Sequence, residues 1–581
     1  MTPDPIDAPG TPPAAGQDLT AGGAVFARLA RLGVEVVFVN SGTDFPPVIE
    51  GLAEADAHGA ELPRTVVVAH EHAAVSMAHG YYFATGRAQA VMLHTNVGLS
   101  NGATGAINAA TDRVPMLLMS GRTPTVEEGR FGARTVPIGW GQEMRDQPAL
   151  VREACKWDYE LRFPEQVPQL LDRAYAIAAS TPRGPVYLAL PREVLCEPCP
   201  SAELDRAPAM AAARVVAPRS LLATAADLLA GARRPLVIAQ RGAGDQEGFD
   251  ALARLADRWS IPVCQYWAVA TAISAHHPMY VGQDPEPWIS EADVVLVIDS
   301  LAPWSPDIHR LREDCRVIHL GPDPLEARFP VRNFRSDVSV TSEVGPGLVG
   351  LEQGLHDSSR AESATGRTEW RTLVERHVAD RRIRFDGLAA TDPAQPMTKE
   401  WVAHTVGRAL RSRAATVVSE LGCPLDPLEL TEHGSWRQEP HSGGLGWGLP
   451  CAMGIKLADP DRLVVATVGD GSYMFANPVA CHQVAEANGI AVLVIVLNNA
   501  GYGAVRSSVL GLYPAGYAAK FDDMPLTGLA PSPDFAQVAA ASRAHAETVA
   551  DGRDLAGALE RALRAVTVDR RQALLDVRIV D

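Results

Sequence analysis

What most limits the possible fold of this chain is a short apolar run, rich in Val, Ile and Leu, that keeps returning and usually closes on Gly, Pro or Asn. Between residues 20 and 190 it occurs as VEVVFVN, RTVVVAHE, AQAVMLH, VPMLLMSG and GPVYLALP, and then as RPLVIAQ, IPVCQYW, ADVVLVIDS and CRVIHLG. A third set follows: AATVVSELG, RLVVATVGDGS, AVLVIVLNN and QALLDVRIV. Runs that do not alternate with polar residues are apolar on both faces, which suits a parallel sheet covered on each side by helices. The Ala-rich segments between them supply those helices. The expected fold class is therefore α/β, with three domains that each contain a mainly parallel sheet. At 581 residues the chain also exceeds what one hydrophobic core supports. The boundaries implied are a disordered tail over 1–19, a first domain over 20–190 and a Pro-rich linker over 191–218. A second domain over 219–351, a polar linker over 352–395 and a third domain over 396–581 complete the chain.

Charge and composition exclude several functions. A net charge of -17 argues against a nucleic-acid or anionic-membrane partner, because both demand clustered Lys and Arg. The apolar runs are too short to cross a bilayer, which takes about 20 residues. MTPDPIDAPGTPPAAGQ has no basic residue and no apolar core, so it reads as a tail and not a signal peptide. Eight scattered cysteines fit a reducing cytoplasm better than a disulfide framework. Cys196 and Cys199 form a lone CxxC in Pro-rich sequence, where linker thiols are expected in place of a zinc site. RGAGDQEG resembles a dinucleotide loop, but its glycines fall at 242, 244 and 248, and a structural loop is expected there.

Two strand ends carry chemistry. GDGS at 469–472 delivers an aspartate between glycines, and NNAGYG at 498–503 ends the next run on a pair of asparagines. Asp470 and Asn499 lie 29 positions apart, so one helix could connect their strands and bring both oxygens to one Mg²⁺ or Ca²⁺. Ser472 and the N–H groups at the following helix start would suit a phosphate. Taken singly, each stretch reads equally well as an ordinary turn. Glu71, after RTVVVA and before an Ala-rich helix, is likewise a favourable acid at a helix N-terminus.

The pairing of GDGS with a downstream NNAGYG resembles the thiamine diphosphate signature. Nearly the whole chain is similar to the superfamily of pyruvate decarboxylase, acetolactate synthase and benzoylformate decarboxylase. That resemblance implies a pyrimidine-binding, a middle and a diphosphate-binding domain in this order, with thiamine diphosphate and Mg²⁺ or Ca²⁺ as cofactors. It also assigns residues. Glu71 in VVVAHEHAAVSMAHGYYFATG would hydrogen-bond the pyrimidine. In HSGGLGWGLPCAMG, Gly443 would offer its carbonyl to the 4'-amino group and Leu445 would sit between the two rings. Asp470, Asn499 and the Gly501 carbonyl would bind the metal. Gly471, Ser472, Asn499 and Tyr502 would line the cofactor, and Gly422 and Cys423 in SELGCPLDP would touch the diphosphate.

Within the superfamily the motifs are most similar to benzoylformate decarboxylase. His94 in VMLHTNVGLSNG, 23 residues after Glu71, matches its catalytic histidine, and Thr43 in VNSGTDFPP stands where it has an active-site serine. A second catalytic histidine would fall near SLAPWSPDIH, where this chain has Trp304 and Pro306, with His309 displaced. The implied reaction is cleavage of a 2-oxo acid, through a C2 ylide and an enamine of the cofactor, to carbon dioxide and an aldehyde. Carboligation, as in an acetolactate synthase, is the alternative outcome. A flavin-dependent oxidase is a third reading, and a non-catalytic protein of the same fold a fourth. Retention of Glu71, Asp470 and Asn499 together argues against the last. The family also implies a homodimer or homotetramer in which the pyrimidine-binding and diphosphate-binding residues of one site come from two subunits.

Overall fold

The structure, a computed structural model, describes residues 18–200, 204, 206–359 and 367–580. The expected tail lies almost wholly outside the described residues. Three six-stranded sheets carry the chain, all parallel, and a small antiparallel pair joins Leu19–Thr20 to Pro198–Cys199. The contacts divide into two compact units. Of the described residues, one comprises those within 18–213, 440–461 and 473–491, and the other those within 214–439, 462–472 and 492–580.

The first unit is built on strands Val36–Val39, Arg64–Val67, Gln89–Leu93, Met116–Arg122, Asp158–Glu160 and Pro185–Pro191. Counted along the chain, they lie in the order second, first, third, fourth, sixth, fifth. The central strands are buried throughout, as their apolar character on both faces requires. Arg28 and Asp172, each with its side chain 2 % exposed, form a two-pronged pair at 2.8 and 2.7 Å between helices Ala21–Arg31 and Val167–Ala179. Arg28 also donates to the Leu204 and Arg206 carbonyls, so both buried charges have partners.

Also in this unit, helix Glu71–Thr85 packs on helix Gly448–Ala458. The contact is close because it is made at glycines. A Cβ on Gly80 would lie 1.9 Å from the Cys451 carbonyl oxygen, and one on Gly454 would lie 2.0 Å from that of Met77. Any side chain at either position would force the helices apart.

The second unit holds the other two sheets. Strands Pro235–Ala239, Val263–Cys264, Tyr280–Gly282, Val294–Ile298, Arg316–Gly321 and Val338–Thr341 lie in the order third, second, first, fourth, fifth, sixth. RGAGDQEG follows the first of these strands and is a packing loop. Gly244 has φ +88° and its missing Cβ would lie 2.6 Å from the Gly345 nitrogen, while Asp245 caps the next helix by accepting from Gly248 N at 2.8 Å. The remaining strands, Ala415–Glu420, Trp436–Gln438, Leu463–Gly469, Leu493–Asn498, His545–Val549 and Ala573–Arg578, repeat the order of the first sheet.

The stretch expected as a polar linker over 352–395 contains a 23-residue helix, Arg367–Ala389. Its buried side chains Trp370, Val374, Val378 and Phe385 recur at helical spacing among many charges, so a narrow apolar stripe anchors an otherwise polar helix. All eight cysteines are thiols. Cys196 and Cys199 are both buried, and burial pushes the Cys196 thiol up to about 11, which makes it a packing group and not a reactive one. Among the described residues no helix is long and apolar enough to cross a membrane.

Candidate active site

In open parallel sheets ligands sit beyond the carboxyl ends of the strands, and the residues singled out from sequence gather at two such edges. In the first unit, Val36–Val39 pairs with Gln89–Leu93, so the loop holding Thr43 and the turn holding His94 leave neighbouring strands. Glu71 opens helix Glu71–Thr85, with its Oε2 accepting from Asn101 Nδ2 at 2.5 Å. Gly98 lies between the two candidate catalytic side chains. A Cβ there would lie 3.3 Å from Glu71 Oε1 and 3.5 Å from His94 Cβ.

Gly98, Gly102 and Gly105 line one face of helix Thr95–Thr111, and helix Glu71–Thr85 lies against them, with the Gly105 site 2.7 Å from Val75. This stripe was legible in NVGLSNGATGAIN as a glycine repeat at helical spacing. Asn101 and Asn108, on the same helix, were not foreseen. Asn108 clamps the loop that begins HSGGLG. Its Nδ2 donates to the Gly444 carbonyl at 2.8 Å, and its Oδ1 accepts from Ser442 Oγ at 2.7 Å. The clamp holds Gly443 exposed, in the left-handed region at φ +68°, and Leu445 half-buried. Trp447 Nε1 secures the end of the loop by donating to His79 Nδ1 at 3.2 Å. Thus Glu71, His94, Thr43, Gly443 and Leu445 all belong to one unit.

His94 is half-buried and fully engaged. Its Nδ1 hydrogen-bonds the buried Asp44 carboxylate, and Gln142 Nε2 lies 2.9 Å from its Nε2. The Asp44 hydrogen bond and charge hold the imidazole above its usual pKa against the opposing effect of burial, and Glu71 adds in the same direction. Thr43 is exposed on the loop just before Asp44. Neither Asp44 nor Gln142 was foreseen, because no local sequence pattern marks a carboxylate fifty positions from its histidine.

The second edge is in the other unit. Leu463–Gly469 and Leu493–Asn498 are adjacent and parallel, with Gly469 opposite Leu497, so Asp470 and Asn499 leave neighbouring strands. The two asparagines divide their tasks. Asn498 is buried and locked, its Nδ2 donating to Asp576 Oδ1 at 2.9 Å, whereas the half-buried Asn499 accepts from Gly501 N at 3.3 Å.

Asp470 is 3 % exposed. Its Oδ1 accepts from Gly471 N at 2.8 Å, but Oδ2 is buried with no partner, as is Ser472 Oγ. Burial holds the Asp470 carboxyl above the usual range, although backbone N–H groups of Gly471, Gly501 and Ala500 oppose this. Gly471 has no room for a side chain, because a Cβ would lie 2.9 Å from the Tyr502 ring. An orphaned carboxylate oxygen and hydroxyl beside a glycine fit a cation with a phosphate group. Among the described residues there is no cluster of three or more His, Cys, Asp or Glu suited to a metal. The donors expected from the sequence differ in kind: the Asp470 carboxylate, the Asn499 amide and the Gly501 carbonyl.

Gly422 and Cys423 are placed less simply. A Gly422 Cβ would lie 2.2 Å from the Thr467 carbonyl oxygen, and Cys423 N donates to Thr467 Oγ1 at 3.2 Å. The Cys423 thiol is buried and pushed up to about 12, so its side chain packs the interior. His309 accepts from Ser305 N at 2.9 Å and stacks edge-on against Tyr266, and Trp304 packs against Phe334. Both serve the middle sheet's packing.

This fold and these strand ends define a class, and the chain belongs to it: the thiamine pyrophosphate enzymes. The N-terminal TPP binding domain matches residues 19–150, the central domain 222–351 and the C-terminal TPP binding domain 425–577. The chain is 30 % identical to a Pseudomonas aeruginosa protein named "Probable 2-ketoarginine decarboxylase AruI", over 94 % of this chain and 92 % of that one. It is 26 % identical to benzoylformate decarboxylase of the same organism, over 94 % and 97 %. Acetolactate synthase large subunit of Parasynechococcus marenigrum is also 26 % identical, over 94 % and 86 %. In fold it resembles the Rhodococcus jostii thiamine diphosphate-dependent 4-hydroxybenzoylformate decarboxylase, with a TM-score of 0.76, 24 % identity and coverage of 96 % and 99 %.

Proposed function

We propose that this protein is a thiamine diphosphate-dependent 2-oxo acid decarboxylase that also requires a divalent cation, Mg²⁺ or Ca²⁺, and works in the cytoplasm. The observation that carries the lyase reading is His94, held beside Glu71 with a carboxylate on its Nδ1. When bound, thiamine diphosphate supplies the electron sink that lets a 2-oxo acid lose carbon dioxide. This chain's residues do the rest. Asp470, Asn499 and the Gly501 carbonyl hold the cation, Gly471, Ser472 and Tyr502 line the diphosphate, and Gly443 and Leu445 seat the pyrimidine against Glu71. His94 returns a proton to the substrate carbon that has lost carbon dioxide.

The relative named for 2-ketoarginine makes a cationic oxo acid a sensible member of a test panel, with aromatic and small aliphatic 2-oxo acids beside it. On the best substrate, carbon dioxide and aldehyde are followed separately in a single turnover. His94→Ala is expected to slow aldehyde release by about 10²- to 10⁴-fold more than the loss of carbon dioxide. Thr43→Ala is expected to have a smaller effect, since one hydrogen bond to a charged group contributes about 1.5–3 kcal/mol. Equal slowing of both products by His94→Ala removes the proton-return role. Hydroxyketone as the main wild-type product moves the protein to the carboligases.

The site is proposed to be shared between two subunits of a homodimer or homotetramer. In the first unit Val97 and Ile107, on helix Thr95–Thr111, are each 50 % exposed, apolar side chains that suit burial against a second copy. Mixing Glu71→Ala with Asp470→Ala protein is expected to restore part of the activity, because one mixed site then carries both intact residues. No recovery after subunit exchange, or an active monomer in sedimentation, rejects this arrangement.

A further inference from the structure

His94 is one corner of a polar triad whose other members the thiamine chemistry does not itself require. Asp44 is buried, with its side chain 5 % exposed, and uses one oxygen on His94 Nδ1 and the other on Thr95 N at 3.3 Å. Two glycines make room for this. A Cβ on Gly121 would lie 1.6 Å from Asp44 Oδ2, and a Cβ on Gly42 would lie 2.2 Å from His94 Nδ1. Thr95, which follows the histidine, is held at φ +33°, a conformation that a β-branched residue rarely adopts. A buried carboxylate, two excluded side chains and a strained backbone converge on one imidazole.

We propose that Asp44 is a positioning residue for His94: it fixes the ring with a proton on Nδ1 and supplies the counter-charge for the doubly protonated form, so that Nε2 presents a proton to the site. The inference rests on the proton-return role of His94. In the step itself Nε2–H gives its proton to the carbon that has lost carbon dioxide. The ring is left neutral, with its remaining proton on Nδ1 shared with Asp44, and recovers the second proton from water. Gln142, whose amide nitrogen lies 2.9 Å from Nε2, occupies the same position, so it must turn aside for Nε2–H to meet the substrate carbon.

The charged groups that act on His94 are Asp44 and Glu71, and both favour the imidazolium. Arg122 and Glu143, adjacent in sequence to Gly121 and Gln142, are committed to each other, and Arg122 also to Glu160. Removing the Asp44 charge therefore leaves burial as the main influence, and the ring should lose its second proton at lower pH.

The test is a pH titration of holoenzyme carrying ¹³C-labelled histidine, with the His94 signal identified by its loss in His94→Gln. The wild-type midpoint is expected above the ordinary value of about 6.5, and Asp44→Asn is expected to lower it by about 1 pH unit or more. The high-pH limb of kcat should move down with it. Gly121→Ala, which keeps the carboxylate but displaces it, should shift the midpoint in the same direction and provides a second variant should Asp44→Asn fold poorly. An unchanged midpoint in both variants overturns the proposal. If the midpoints shift as expected but wild type decarboxylates no 2-oxo acid, the triad stands and the proposed function falls.

Discussion

Asp470→Ala is expected to yield a folded protein that no longer retains thiamine diphosphate. The residue's own environment indicates why the fold should survive. Asp470 Oδ2 is buried without a partner, so in the absence of a cation the ionised carboxylate costs stability. Burial raises the carboxyl's pKa in the folded state. Its favourable contribution is therefore present below the unfolded value of about 3.9 and is lost as pH rises through the folded value. At neutral pH the cation-free variant should melt no lower than cation-free wild type. Adding Mg²⁺ and thiamine diphosphate at about one hundred times Kd should then stabilise wild type by about 2.7 kcal/mol and leave the variant unmoved. Thermal melts of both proteins with and without ligands decide the matter. An equal ligand-induced shift in the variant would remove Asp470 from the cation site.

Glu71→Gln is expected to lower turnover by about 10²- to 10⁴-fold, the range for a lost proton-transfer partner, while the protein remains folded and still binds cofactor. The amide is isosteric and Asn101 can still bond it, so the packing of helix Glu71–Thr85 on its glycine-lined neighbour should be kept. Unlike His94→Ala, this change should slow carbon dioxide and aldehyde alike. Single-turnover rates for both products, with cofactor affinity measured by calorimetry, make the comparison. A variant within about threefold of wild type would reduce Glu71 to an acid that favours a helix N-terminus, which contributes about 0.3–1 kcal/mol of stability and nothing to chemistry.

The sequence by itself determined the fold class and the central strands. A run that is apolar on both faces can be satisfied in few ways, and Val294–Ile298, Leu463–Gly469 and Leu493–Asn498 are buried along almost their whole length. It also determined which residues stand at strand ends, since Gly-Asp-Gly-Ser and Asn-Asn mark the turn and the proposed cation ligand in the same few positions. The strands it concealed, Asp158–Glu160, Tyr280–Gly282, Val338–Thr341, Trp436–Gln438 and His545–Val549, all lie at sheet edges. Edge strands are short and mostly half-exposed, so their residues need not be apolar on both faces. The helix Arg367–Ala389 was concealed for a related reason, because only a narrow stripe of it is buried. Tertiary structure alone decided how the catalytic candidates are held. Asp44 reaches His94 across fifty residues, and Asn108 reaches the Gly444 carbonyl across 336. Such contacts leave no periodicity in the chain. They exist because parallel strands bring distant loops to one edge of a sheet, and because Gly42, Gly98 and Gly121 lack the one atom that would have kept those side chains apart.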